Sequence, residues 1–254
     1  MTGGQPFLDN FLAGWGEILA LLTHCTSAKK IPMPPVLSCE SLVCHRPQWA
    51  KGRSSQVEDV SLSLEAGTLT SFHGPDGCGK GLLLNLLGLL ETPDAGMIRV
   101  CDHEPLTMTA EELCEFRNER FGFIFDAPCL LPAFSVAENV AMPLFRICGG
   151  DARSARARTM EVLEFVGLGD EESTLSGRLD DAAQGRVALA RALAHRPEIL
   201  IGIAPRYARE LIPLVREATR EFGLCVLWAD EAPIPGADDC YALQSGRLHA
   251  AALS

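Results

Sequence analysis

The chain is expected to fold as an α/β protein around a buried, largely parallel sheet, and three features of the sequence lead there. Short apolar runs such as Glu198-Ile199-Leu200-Ile201 and Leu224-Cys225-Val226-Leu227 alternate with helical patterns. A glycine-rich loop joins a strand at 68–73 to a helix-forming run beginning at Leu82. β-rich segments come first from about residue 36. Apolar runs of this length suit strands that are covered on both faces, as parallel strands are.

Taken in order, residues 7–22 place Phe7, Phe11, Trp15, Ile18, Leu19 and Leu22 at helical spacing, with Asp9, Asn10 and Glu17 elsewhere around the turn. This predicts a short amphipathic helix. Packing on its own domain is the plainer role for it; docking to a partner or to a bilayer surface remains open, although its acidic residues weaken the bilayer alternative. The following Pro32-Met33-Pro34-Pro35 stretch denies hydrogen bonds to both helix and sheet, so it reads as a linker. The expected domains are therefore 1–35, helix and linker, and 36–254, the α/β unit. Asp-Ala-Arg-Ser-Ala-Arg-Ala-Arg at 151–158 is a charged start to a helix with a solvated face.

Composition narrows the function classes. With 47% hydrophobic residues in 254, the chain can bury a substantial core. A formal charge of −11 disfavours attraction to nucleic-acid phosphates and acidic lipid. Ten cysteines lie scattered with no Cys-x-x-Cys pair, so reduced thiols are expected and no metal site stands out. No apolar run of 18 or more residues predicts a membrane span.

The loop Gly74-Pro75-Asp76-Gly77-Cys78-Gly79-Lys80 has the spacing G-x-x-x-x-G-K between strand and helix. In such loops the backbone N–H groups freed by Gly74, Gly77 and Gly79 curl around phosphate oxygens. The helix amino terminus adds its dipole, and a lysine, here Lys80, reaches the outer phosphates. The next position should offer a Ser or Thr hydroxyl to Mg²⁺, yet it is Gly81, followed by Leu82. Binding of a nucleotide such as ATP or ADP without Mg²⁺, and a relic turn that binds nothing, both fit this loop. His73, just before it, reads as a core histidine.

Over residues 36–248 the sequence resembles the ATP-binding subunits of ABC transporters, nearest the lipoprotein-releasing and macrolide-export type. The resemblance rests on Gly88-Leu89-Leu90-Glu91-Thr92-Pro93-Asp94-Ala95-Gly96, on Phe121-Gly122-Phe123-Ile124-Phe125 with Leu130-Leu131-Pro132, and on Ser135-Val136-Ala137-Glu138-Asn139-Val140-Ala141-Met142-Pro143-Leu144. Gly185-Arg186-Val187-Ala188-Leu189-Ala190-Arg191-Ala192-Leu193-Ala194-His195-Arg196-Pro197 extends it. It implies a P-loop NTPase-like domain: a mixed sheet core, an antiparallel β subdomain, and a helical subdomain at about 127–185.

Laid on the family's motifs, the scaffold matches and the chemical groups do not. The glutamine expected after Phe125 is Asp126. The signature Leu-Ser-Gly-Gly-Gln falls on Leu179, Asp180, Asp181, Ala182 and Ala183, while Leu175-Ser176-Gly177 lies four residues too early. The Asp-Glu that ends the second nucleotide strand is Ile203-Ala204, and the histidine that contacts the γ-phosphate is Ala229. The adenine-stacking aromatic expected near 43–46 is missing, with Cys44 or His45 nearest. Trp228 and Tyr207 replace small or polar family residues, which fits either aromatic filling of a vacated cleft or ordinary packing.

Phosphoryl transfer depends on positioning and on charge neutralisation by metal and cations, and each lost contribution costs roughly two to four orders of magnitude in rate. The expectation is a subunit with no catalytic residues and no metal ligands, hydrolysis lost and nucleotide binding weak or absent. A carboxylate at Asp180 or Asp181 is expected to cap the helix that follows, as an internal anion. The resemblance also implies partners. A permease-like transmembrane subunit would dock on Phe125, Asp126, Leu130, Leu131, Pro132, Glu138 and Asn139, and a second ATPase subunit, identical or different, would complete a head-to-tail dimer. The location implied is the cytoplasmic face of the inner membrane. Two other functions stay open: a working ATPase using Asp126 and Asp76 as replacement metal ligands, and a soluble regulator that senses nucleotide or another anion.

Overall fold

The computed structural model describes residues 35–47, 55–147, 151–203 and 208–251. The expected amino-terminal helix, Ala204 and Tyr207 lie outside the described residues.

Strands β1 (Leu37–Arg46), β2 (Ser55–Leu64) and β4 (Ala95–Val100) form an antiparallel sheet in the order β2-β1-β4. β2 alternates buried and exposed positions, as a sheet with one covered face requires. The second sheet, in the order β5-β6-β7-β3-β8-β9, combines β3 (Leu69–His73), β5 (Phe121–Ile124), β6 (Ile199–Ile203), β7 (Cys225–Asp230) and β8 (Asp239–Gln244), all parallel, with antiparallel β9 (Arg247–Ala250) at one edge. Four of the five residues of β6 and five of the six of β7 are buried, so these strands have no solvent face to mark with polar side chains. This is the α/β fold with a mixed sheet that the sequence implies.

Helix α1 (Lys80–Leu87) buries Leu82, Leu83, Leu84, Leu86 and Leu87 without residual exposure. An apolar surface around most of its circumference needs cover on several sides, and burying each leucine is worth about 1.5–3 kcal/mol relative to leaving it exposed. Residues of both sheets supply that cover: Leu37, Leu42 and Ile98 from the antiparallel sheet, Phe72, Ile201 and Leu227 from the parallel one. The opposite face of the parallel sheet packs Val226 and Trp228 with residues of α3 (Val136–Ile147), α4 (Ala152–Phe165), α5 (Asp181–Leu193) and α6 (Ala208–Phe222). α2 (Ala110–Arg120) opens with a capping box in which Thr109 and Glu112 satisfy each other's backbone N–H.

Candidate functional site

The carboxyl ends of β5, β6, β7 and β3 lie side by side, since Ile124 pairs with Gly202, Ile203 with Ala229, and Asp230 with His73. Ligands of open α/β sheets bind at such strand ends, and the glycine-rich loop leaves from one of them. Two of its glycines are required by space and conformation. A Cβ on Gly74 (φ +154°) meets Leu243 O at 2.5 Å, and one on Gly79 (φ +108°) meets Gln56 O at 2.4 Å. Backbone of β8, at Leu243, and of β2, at Gln56, thus presses on the loop. Gly79 is also the N-cap of α1, which has no side-chain cap.

Lys80 is buried, and its Nζ donates to Gly74 O at 2.9 Å and to Pro75 O at 3.3 Å. Asp76 Oδ1 stands 3.7 Å from the same ammonium, on a side chain that is 73% exposed, so this pair contributes little. The lysine therefore closes its own loop. An incoming anion has to exchange for these carbonyls.

Around that loop the structure places the replaced positions as follows. Gly81 sits in the first turn of α1, and a Cβ there meets nothing within 4 Å. Ile203 is half-buried and packs against the apolar cluster that contains α1. Ala229 is 1% exposed in that cluster. Asp126 is exposed just beyond β5. Among the described residues, no three His, Cys, Asp or Glu side chains gather where a metal ion could sit. Cys44 is fully buried, and the exposed His45 pairs with Glu58 Oε1 at 2.6 Å through Nε2.

Asp180 is the N-cap of α5, its Oδ1 accepting from Ala183 N at 2.7 Å, while Asp181 lies in the first turn, where negative charge complements the helix dipole. Ala182 and Ala183 continue the helix, Ala183 buried. Trp228 is ordinary packing. It is fully buried on the sheet face away from α1, with its ring against Gly202, where a Cβ comes within 2.4 Å of Cε3.

The segment expected to dock a membrane partner needs one correction. Asn139 is fully buried and cannot touch a partner. Its Oδ1 accepts from Leu131 N at 2.8 Å, and its Nδ2 lies within hydrogen-bonding distance of Leu131 O, Phe134 O, Ser135 O and Ser176 Oγ. Ser176 is also buried and donates to Leu131 O at 2.8 Å, so the Leu-Ser-Gly that lies four residues upstream of the signature position is a structural latch. Glu138 is exposed but occupied in a capping box, accepting from Ser135 N at 2.7 Å, which holds its carboxyl below the usual range. Leu130 is half-buried. Pro132 is exposed. The exposed large apolar side chains along this stretch are Phe125, Leu131, Phe134, Met142 and Phe145. Of these, Phe134 and Phe145 are not singled out by the sequence. On α3 the exposed residues Glu138, Met142 and Phe145 recur at i, i+4 and i+7, a signal that a solvent stripe with two large apolar groups leaves in the sequence.

Comparison with known proteins brings one family forward. The family model described as ABC transporter matches residues 57–202. The lipoprotein-releasing system ATP-binding protein LolD of Myxococcus xanthus is 39% identical over 174 residues, which cover 66% of this chain and 77% of that protein. Its namesake from Bordetella pertussis is 34% identical over 204 residues, 77% of this chain and 88% of the other. Among solved structures, the dimeric post-hydrolysis state of the ATP-binding cassette MJ0796, bound to ADP and Pi, superposes with a TM-score of 0.73 at 24% identity, covering 84% of this chain and 98% of that one. cbiO1 from Clostridium perfringens gives 0.72 at 20% identity, covering 85% and 88%. At these identities the structures bear on the fold alone.

Proposed function

This chain belongs to the ABC transporter family of ATP-binding subunits, and on that premise we propose that it is a subunit that no longer hydrolyses ATP. In this reading it docks a permease at the cytoplasmic face of the inner membrane, pairs with a second ATP-binding subunit, and serves as a structural or coupling component. LolD relatives are named as ATP-binding proteins of a lipoprotein-releasing system, and the proposed assembly is of that kind. No helix among the described residues is long and apolar enough to cross a membrane; in this reading the permease is a separate chain.

The observation that carries the reading is Ile203. At the strand end where the family holds a metal-binding carboxylate, a half-buried apolar side chain packs against the cluster that contains α1. With Gly81 lacking a hydroxyl as well, the residues present do not fit Mg²⁺. What remains is a preformed loop with a cation, Lys80, that supports at most weak binding of ATP or ADP without metal. Asp76 and Asp126 as substitute ligands lack support: Asp76 leans to Lys80, and no third donor joins them among the described residues. Asp180 adds a second obstacle, because it fills the end of α5 with its own carboxylate.

A reversion series tests this. Asp180→Ser with Asp181→Gly alone is expected to leave phosphate release at background, and any recovery requires Ile203→Asp and Ala204→Glu in addition. Turnover restored by the signature pair alone contradicts the proposal.

A further inference from the structure

Lys80 carries a buried charge without a matching anion. It is 7% exposed, and its ammonium meets two carbonyls of its own loop, Gly74 O at 2.9 Å and Pro75 O at 3.3 Å, with Asp76 Oδ1 at 3.7 Å on a side chain that lies largely in solvent. Carbonyls solvate a cation but bring no countercharge, and a cation taken out of water gains most from an anion in contact with it. The start of α1 adds to the same field, since its N-cap, Gly79, has no side-chain bond and its first turn holds no acid. α5 begins in the opposite way. Asp180 and Asp181 are both exposed there; Asp180 spends Oδ1 on Ala183 N at 2.7 Å, whereas Asp181 has no hydrogen-bond or ion-pair partner among the described residues. One surface of the chain thus lacks an anion and another presents a spare one. Two copies related by a two-fold axis satisfy both, because an isologous pair makes each contact twice.

We propose that two copies of this chain pair without nucleotide, Asp181 of each copy seated in the glycine-rich loop of the other, against Lys80 and the start of α1. This pairing rests on the association with a second ATP-binding subunit proposed above, in the head-to-tail order that the resemblance implies, and it identifies that subunit as another copy of the chain. A carboxylate on α5 then takes the place of a nucleotide phosphate, so nucleotide and the second copy compete for one loop. Nucleotide loosens such a pair and does not hold it together. Charge complementarity of this sort fixes the register of the two copies and selects the partner.

Sedimentation equilibrium of the purified full chain tests this, at fixed ionic strength because two chains of formal charge −11 repel at long range. The dimer dissociation constant is measured for wild type, Asp181→Asn, Asp181→Lys, Lys80→Glu, and an equal mixture of the last two. Each of those two variants alone sets like charges against each other, whereas in the mixed pair both contacts join opposite charges. Far-ultraviolet circular dichroism and melting temperature verify folding. Asp181 is exposed, so its variants are expected to fold; if Lys80→Glu does not, Asp181→Asn, Asp181→Lys and added ADP carry the test. Expected are a wild-type dimer without nucleotide, a loss of about tenfold or more for Asp181→Lys because two contacts reverse at once, a smaller loss for Asp181→Asn, recovery in the mixture, and a weaker wild-type dimer in excess ADP. A wild-type chain that stays monomeric overturns the proposal, and if it is still captured with a permease and a different ATP-binding subunit, the function proposed above stands without it. A dimer that none of the variants weakens, or that ADP tightens, overturns it as well. Phosphate release by the wild-type dimer removes the reading on which the pairing rests, and the pairing with it.

Discussion

Replacing Asn139 by alanine isolates the element that ties Leu131, Phe134 and Ser135 to α3 and Ser176. The amide is fully buried and serves one donor, Leu131 N, and four acceptors, Leu131 O, Phe134 O, Ser135 O and Ser176 Oγ. Its two N–H groups are shared among those acceptors, so not all contacts count fully. Truncation strands Leu131 N, and each buried group left unpaired costs about 1–3 kcal/mol. A net loss of about 3–4 kcal/mol follows, allowing for water entering the vacated space. In a domain of this size each kcal/mol lowers the melting temperature by roughly 2–4 °C, giving a drop near 10 °C in differential scanning calorimetry. Amide hydrogen exchange is expected to speed up at Leu131, Ser176 and Gly177, which the latch holds, and to change little at Leu82–Leu87. A drop of less than about 3 °C refutes the reasoning, as does exchange that rises uniformly.

Gly81→Ser is expected to raise the melting temperature by about 1–2 °C, since glycine in a helix is poorer than serine by roughly 0.5 kcal/mol and the added Cβ meets nothing within 4 Å. It brings no Mg²⁺-dependent turnover while Ile203 stands, and turnover in this variant alone contradicts the site assignment. The capping carboxylate Glu138 predicts a pH signature. Its backbone and hydroxyl donors from Ser135 lower its pKa from 4.5, so its stabilisation is fully present above the unfolded value and is lost as pH falls through the folded one. The melting difference between wild type and Glu138→Ala is therefore expected to hold from pH 7 to about 5 and to shrink below 4.5. A difference independent of pH rules out the ionised cap.

Much of the fold is legible in the sequence because it is written in local patterns. The runs Glu198-Ile199-Leu200-Ile201 and Leu224-Cys225-Val226-Leu227 read as buried strands and lie in β6 and β7, and the glycines at 74 and 79 mark the turn from strand to helix. The identities Gly81, Asp180 and Ile203 are read directly, whereas their match to the family's chemical groups rests on the resemblance and is part of the proposal. The buried role of Asn139 is not legible, because an amide followed by Val140 in a helical stretch looks the same whether it faces a partner or five groups of its own chain. Trp228 is ambiguous for a related reason: strand alternation decides which sheet face a ring takes, and in β7, buried on both faces, the pattern carries no sign of that choice.

Phosphate release from Mg²⁺-ATP by the purified chain, compared with Lys80→Ala, tests the proposed loss of hydrolysis most directly. Equal rates at the buffer background in both proteins are predicted. A rate well above background in wild type that Lys80→Ala abolishes contradicts the account.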